Sequence, residues 1–456
     1  MTTPQQGALS DAAMGALGVS RVRRKRLGVI FVMLVFGAFP ALVHAQTAEM
    51  QLPSSANQDR GLRSGDFTLH PSITVQGHHD TNIFNGSDAE AAAGNPIRGA
   101  TSIRIQPRLS LANEANSDVS FTFNSAGDAR IYVTEEAAVS EQDDVGGTAA
   151  VDVAFGARRA LAFSVFDYFT RSLRANDWGT SYNLNRTGND VGARIEFHPG
   201  DIPERRPFNI ALMGSYALDR FDDFSDGNAD TIRSRFSASW RFLPKTAAII
   251  DAGWDFRNYT STSLLLAEGL SANSKPFRAR AGVAGALTRR ISLEALGGWG
   301  MSMHKSGDAF NSFLASASLG LRASESTRLL LNYTHDFRDA YYGNFVDFHR
   351  GSLALRQRFG QIVDLKANFG VTYGVYGAYV PKIAVLITQK NRKDIALEGG
   401  LSSTFDVTRL VGMDIGYQLR SVVTDYKVTA LDAKRRLIDS GAFLAHELYA
   451  GITLRY

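Results

Sequence analysis

The sequence predicts an all-β fold, a transmembrane antiparallel up-and-down β-barrel of about 18 strands, and three observations predict it. From about Phe67 onward apolar residues return at every second position over stretches of about ten to fourteen residues, the period that sends successive side chains to opposite faces of a strand. The positions between them are polar or charged along whole stretches: Arg233, Arg235, Ser237, Ser239 and Arg241 alternate with Ile232, Phe236, Ala238, Trp240 and Phe242. The connections, finally, alternate between short turns and long loops rich in Asp, Gly and Asn, the asymmetry of outer-membrane barrels.

The second observation separates a barrel from a soluble sandwich. A sheet with one apolar and one charged face needs a second sheet of matching size in water, whereas lipid covers the apolar face of a barrel and lumen water the other. The stretches also exceed the usual strand of about 5–6 residues. Closure removes the exposed edges by which such strands would stick to one another.

The 456 residues contain no Cys, which excludes disulfide scaffolds, Cys-ligated zinc, iron–sulfur clusters and thiol catalysis. Arg21 to Arg26 (RVRRKR) precede the apolar run Leu27 to Phe39, then Pro40 and the small-residue site Val43-His44-Ala45, the order of a secretory signal. Residues 1–45 are therefore expected to be a signal peptide, with the mature chain starting at Gln46. That segment holds five basic side chains against Asp11, so the formal +4 of the chain resides there and the remainder is neutral. The basic balance gives no reason to expect a nucleic-acid partner. Residues 46–65 are polar and read as a disordered periplasmic linker, and residues 66–456 as the barrel.

In order, strands are expected near 66–79, 101–113, 118–133, 145–157, 160–171, 181–197, 207–218, 231–242 and 246–258. The second half follows with 276–287, 290–303, 311–322, 327–338, 348–359, 362–375, 393–405, 409–420 and 443–456. Short turns such as Asn116-Ser117, Leu243 to Thr246 (LPKT) and Leu287 to Arg290 (LTRR) would lie on the periplasmic rim with both chain ends. Long loops, Asn82 to Ala100, Tyr259 to Lys275, Gly377 to Arg392 and Ser421 to Ala442 among them, would face outside the cell. Trp254, Phe256, Tyr259, Tyr341, Tyr342, Phe345 and Phe348 read as the aromatic girdle, and Phe166 and Tyr168 fall on the polar face, where a sugar track would lie.

The polar face is where function is expected. Its arginines include Arg104, Arg108, Arg130, Arg233, Arg235, Arg241, Arg278, Arg280, Arg356 and Arg358, with Arg194, Arg328 and Arg420 in the same phase. In-phase acids are fewer, among them Asp128, Asp251, Asp255, Asp336, Asp364 and Glu398, with others such as Asp222, Asp223, Asp226 and Asp230 assigned to loops. Arginine lining a pore favours anions and grips carboxylates and phosphates bidentately. Alternatively the charges pair across strands and stiffen the wall.

No HExxH, GxxxxGK[ST], GxSxG or Rossmann pattern is present, and no enzyme, cofactor or metal is expected. His78-His79-Asp80 could suggest a ligand set, but neighbours on a strand point to opposite faces. His335 and His349 share the outward phase on neighbouring strands, as a lipid hydrolase would require. The flanking outward positions, however, offer Phe313, Ala315, Leu353 and Leu355 instead of Ser.

The stretch Val75 to Phe84 (VQGHHDTNIF) resembles the opening motif of the β-barrel porin 2 family, aromatic-Asp-aliphatic or Ser/Thr-Asn-aliphatic-Phe/Tyr, with His79 at the aromatic position. That resemblance implies an outer-membrane barrel associated with polysaccharide export, passing an acidic exopolysaccharide or capsular polysaccharide with a periplasmic export or co-polymerase protein as partner. A general or anion-preferring diffusion porin is the alternative. The ending Leu448, Ala450, Ile452, Leu454, Tyr456 resembles the signature read by the outer-membrane assembly machinery, and lipid of the bacterial outer membrane is the surrounding partner.

Overall fold

Alternation at a period of two commits each stretch to one strand, and sequence-adjacent strands then pair antiparallel until the last meets the first. The computed structural model describes residues 61–86, 97–113, 118–175, 184–199, 207–222, 225–260, 273–305, 307–340, 344–360, 362–377, 392–425 and 442–456. The expected signal peptide, the Gln46 start, most of the linker, Asn116-Ser117, Tyr341, Tyr342 and the tips of the long loops lie outside these residues.

The strands are β1 (Leu62–Ser64), β2 (Phe67–Asp80), β3 (Ala100–Asn113), β4 (Val119–Tyr132), β5 (Asp144–Phe155), β6 (Leu161–Ala175), β7 (Leu184–Phe197), β8 (Phe208–Phe221), β9 (Ala229–Leu243) and β10 (Thr246–Tyr259). They continue as β11 (Ser274–Ala286), β12 (Ile291–His304), β13 (Phe310–Arg322), β14 (Thr327–Asp339), β15 (Phe345–Phe359), β16 (Val363–Tyr376), β17 (Lys393–Asp406), β18 (Val411–Thr424) and β19 (Phe443–Arg455). The barrel is closed by β19 on β2, from Glu447 opposite Asp80 to Arg455 opposite Ser72, and the Tyr456 amide donates to the Pro71 carbonyl at 3.1 Å.

Below Ser72 the stagger of the strands would leave the start of β2 with an open edge. The three residues of β1 cover it, with Leu62 opposite Leu69 and Ser64 opposite Phe67. Leu62–Ser64, near the end of the expected linker, are thus a strand: an unpaired strand edge is a binding surface, and the nearest chain fills it.

Large apolar side chains on the outer face remain uncovered by protein. Leu161 and Trp240 are each 61% exposed and Leu448 is 57% exposed. In water each would forfeit on the order of 1 kcal/mol of transfer free energy, so lipid is their solvent. Among the described residues no helix is long and apolar enough to cross a membrane. A closed barrel with an apolar outer face is the architecture by which strands cross an outer membrane.

Observed strands overrun the expected ones mainly at the outer ends, as Ser421–Thr424 of β18 and Phe345–Asp347 of β15 do. There both faces meet water, so the polar–apolar contrast fades while backbone pairing continues. A four-residue helix, α1 (Ala137–Ser140), sits in the outer loop after β4 and packs Val139 on Ile83, Ala100 and Tyr132. It is too short to show a helical period.

Part of the expected girdle turns inward. Trp254 stacks on Phe256 at 5.1 Å and meets Phe277 edge-on at 6.2 Å on the lipid face. Tyr259 shares the other face with Arg257, whose guanidinium lies 5.0 Å above its ring. Phe348 stands opposite Asp336, out of phase with the outward His349. Phe345 packs on Phe310 at 5.4 Å, beside buried Leu314 and Phe337. This cluster exists because β13 and β14 pair only from Arg322–Arg328 to Ala315–His335; above that point the pair opens and Phe337 fills the gap.

Candidate functional site

The inner face of the wall is a lattice of arginines and carboxylates. Arg104 on β3 grips Asp128 on β4 with two bonds, of 3.0 and 2.6 Å, and Arg130 lies 3.6 Å from the same carboxylate. Arg235 on β9 bonds Asp255 on β10, and Arg280 on β11 bonds Asp251 on β10 at 3.1 Å. On β15, the Arg356 Nε donates to both oxygens of Asp364 at 2.9 Å, and Arg358 stands 3.9 Å from it.

Other pairs skip a strand. Arg233 reaches from β9 to Asp190 on β7 across Ser215. Arg350 reaches from β15 to Glu398 on β17, at 2.7 Å, across Gly370, and Arg420 from β18 to Asp80 on β2, at 2.9 Å, across Ala445. Next-nearest strands are about 10 Å apart, a span that an arginine and a short acid bridge only over a small residue. Arg278 reaches furthest, from β11 to Asp336 on β14 at 2.8 Å, over Gly300 of β12.

Of the ten arginines expected to line the lumen, eight therefore meet carboxylates. Arg108 and Arg241 form no ion pair among the described residues, and Arg108 is exposed. The expected excess of lumen arginine shrinks, because Asp80, Asp190, Asp219 and Glu447 also face inward. Asp80 and Asp219 each lie one residue beyond the expected strand ends at 79 and 218, whereas β2 runs to Asp80 and β8 to Phe221, and Asp190 stands in phase with Arg194 and Glu196. The in-phase rule carried one strand position further finds the first two.

Asp219 is the most enclosed of these acids. It is 4% exposed, bonds Arg186 of β7 through the Nε at 2.9 Å and Arg257 of β10 at 3.3 Å. Asp219→Ala would leave two guanidinium groups without their shared carboxylate, at a cost of about 3 kcal/mol. A lower unfolding midpoint in detergent, relative to wild type, checks this.

The closing seam is similarly tied. His78 Nδ1 lies 2.6 Å from Glu447 and Nε2 3.1 Å from Gln76, and its ring stacks on Tyr449 at 5.2 Å. His79 points the other way and meets Thr101 at 3.1 Å, so His78 and His79 part to opposite faces as strand geometry requires.

One stretch of the wall breaks the balance. Arg322 of β13 stands opposite Arg328 of β14, Arg328 opposite Arg356 of β15, and Arg356 opposite Lys366 of β16. Four cations thus occupy one cross-strand row near the short-turn rim, with Arg358 two residues away and Asp364 as the carboxylate that bonds Arg356. Like charges directly opposite on a sheet repel one another and together attract anions.

His335 and His349 do come together on the lipid face, directly opposite in register. Their hydrogen bonds go to Asp347 and Tyr333, both at 2.9 Å, and no serine takes part. The hydrolase arrangement weighed from the sequence is not what these bonds build.

No protein-family model matches the chain, and no curated protein matches it. The chain is similar in backbone course to the crystal structure of Acinetobacter baumannii OccAB3, at 13% identity and a TM-score of 0.46, over 86% of this chain and all of that one. It is similar also to Pseudomonas aeruginosa OccK2 (OpdF) in complex with glucuronate, at 11% identity and a TM-score of 0.47, over 87% of this chain and all of that one. A third is the outer membrane protein opdK from Pseudomonas aeruginosa, at 12% identity and a TM-score of 0.46, over 85% and 99% of the two chains.

Proposed function

We propose that the protein is a passive diffusion channel of the outer membrane that favours small anionic solutes. The observation that carries this reading is the row Arg322, Arg328, Arg356 and Lys366, set in a lumen whose other charges largely neutralise one another in pairs. Paired charges create little field along a pore, whereas a row of adjacent like charges attracts counter-ions and repels cations. Exposed Arg108 adds to the same sign.

Export of an acidic polysaccharide, the first expectation, rests on the Val75 to Phe84 motif and gains nothing from the wall. A glycan track needs open aromatic faces. Arg257 covers Tyr259 at 5.0 Å, Arg186 covers Phe221 at 5.7 Å and Arg392 covers Tyr376 at 5.0 Å. Phe166 is 2% exposed and packs on Tyr168 at 4.5 Å. In the same reading the outward Leu454 and Tyr456 at the end of β19 serve the assembly machinery, and no periplasmic export protein is required.

Reversal potentials of the purified channel in planar bilayers under a KCl gradient test the proposal. Chloride preference is the expected result, and a clear potassium preference overturns it. Deleting the gene and measuring surface polysaccharide separates the two readings: loss of surface polymer with retained cellular polymer would restore the export role.

A further inference from the structure

On the outer wall, away from the lumen, β14 and β15 bring three metal-competent side chains together. His335 and His349 are cross-strand partners, and Asp347 precedes His349 by two residues, so all three share a face. The His335 Nε2 lies 2.9 Å from an Asp347 carboxylate oxygen, and the two imidazoles stack at 4.1 Å with 11° between their planes. One ligand atom from each residue lies within 4.8 Å of the others.

A further contact orients the set. The Tyr333 hydroxyl sits 2.9 Å from His349 Nδ1. A partner at one ring nitrogen decides which nitrogen remains for a metal, and here Nε2 is left. His335 is also the last residue at which β14 pairs with β13, so its strand has room to adjust.

We propose that His335, His349 and Asp347 form a binding site for a divalent transition metal, of which zinc is the natural test ion. Two imidazole nitrogens and one carboxylate oxygen suit zinc, copper or nickel. Zinc bonds of about 2.0–2.2 Å put ligand atoms roughly 3.3 Å apart, so closing the set takes a small rotation of the exposed His349 ring. The metal takes the place of the proton shared by His335 and Asp347, and the fourth position holds water. His335 and His349 each lie four residues inside the outer strand ends, about 13 Å along the strand, which places the site at the level of the outer headgroups. There the cation also neutralises Asp347, a carboxylate otherwise costly on a lipid-facing wall.

The test is calorimetric titration of zinc chloride into the untagged barrel in detergent. Wild type is expected to bind one zinc per chain at this site. His349→Ala and the double variant H335A/H349A should lose it, and Tyr333→Phe should weaken it about 10- to 100-fold by freeing the ring. Equal binding by wild type and H335A/H349A overturns the proposal. Copper(II) bound to the wild-type barrel gives a reading independent of variant folding: hyperfine coupling to two imidazole nitrogens supports the site, and its absence overturns it.

Discussion

Replacing Arg322, Arg328 and Lys366 together by glutamine is expected to abolish the anion preference of the channel while leaving it open. The substitutions spare the Arg356–Asp364 pair. A unit charge a few ångströms from a permeating ion acts by about 1 kcal/mol in water-like surroundings, a factor of about five in relative permeability. Three such charges in a row account for a strong selectivity, and the corresponding glutamate substitutions should reverse its sign. The effect belongs at low salt, because at 1 M the screening length falls to about 3 Å and wild type and variant should converge. A triple variant that keeps the wild-type reversal potential at 0.1 M would show that the row does not set selectivity.

Gly298→Val is expected to prevent the barrel from closing. Gly298 faces Arg280 across β11 and β12, and a Cβ there would stand 2.0 Å from the Ala279 carbonyl oxygen and 2.6 Å from the Arg280 Cα. Both are backbone atoms, so no rotamer relieves the overlap, and the two strands would have to separate. Their pairing also sets the reach of Arg278 to Asp336, which passes over the neighbouring Gly300. Folding is read by the shift in electrophoretic mobility on heating that folded barrels show. Gly351→Val on β15 is the matched control, since a Cβ there meets nothing within 4 Å. Equal folding of the two variants would contradict the close approach of β11 and β12.

Both expectations depend on register, which is where reading from the sequence stops. The period of two assigns a face to each of the ten arginines without reference to any other strand. It does not assign their partners. Asp364 stands opposite Arg358 and diagonal to Arg356 across one short hairpin, where counting along the turn finds it, but Asp190 belongs to Arg233 only once β7, β8 and β9 are aligned with Ser215 between them. The basic row is of the same kind: Arg322, Arg328, Arg356 and Lys366 are scattered over 45 residues, and three registers make them neighbours.

By itself, then, the sequence determined the strands, their order, the two faces and the closure of the wall. All of these follow from local alternation and from the chemistry of lipid on one side and water on the other. Tertiary structure alone decided which charges cancel and which accumulate, that β1 covers the open edge of β2, that Phe337, Phe348 and Tyr259 turn away from lipid, and that Asp347 joins His335 and His349. The reason is physical: a side chain's face is fixed by its own strand, but its electrostatic environment is the sum over strands brought alongside, and that sum changes with a register shift of a single residue.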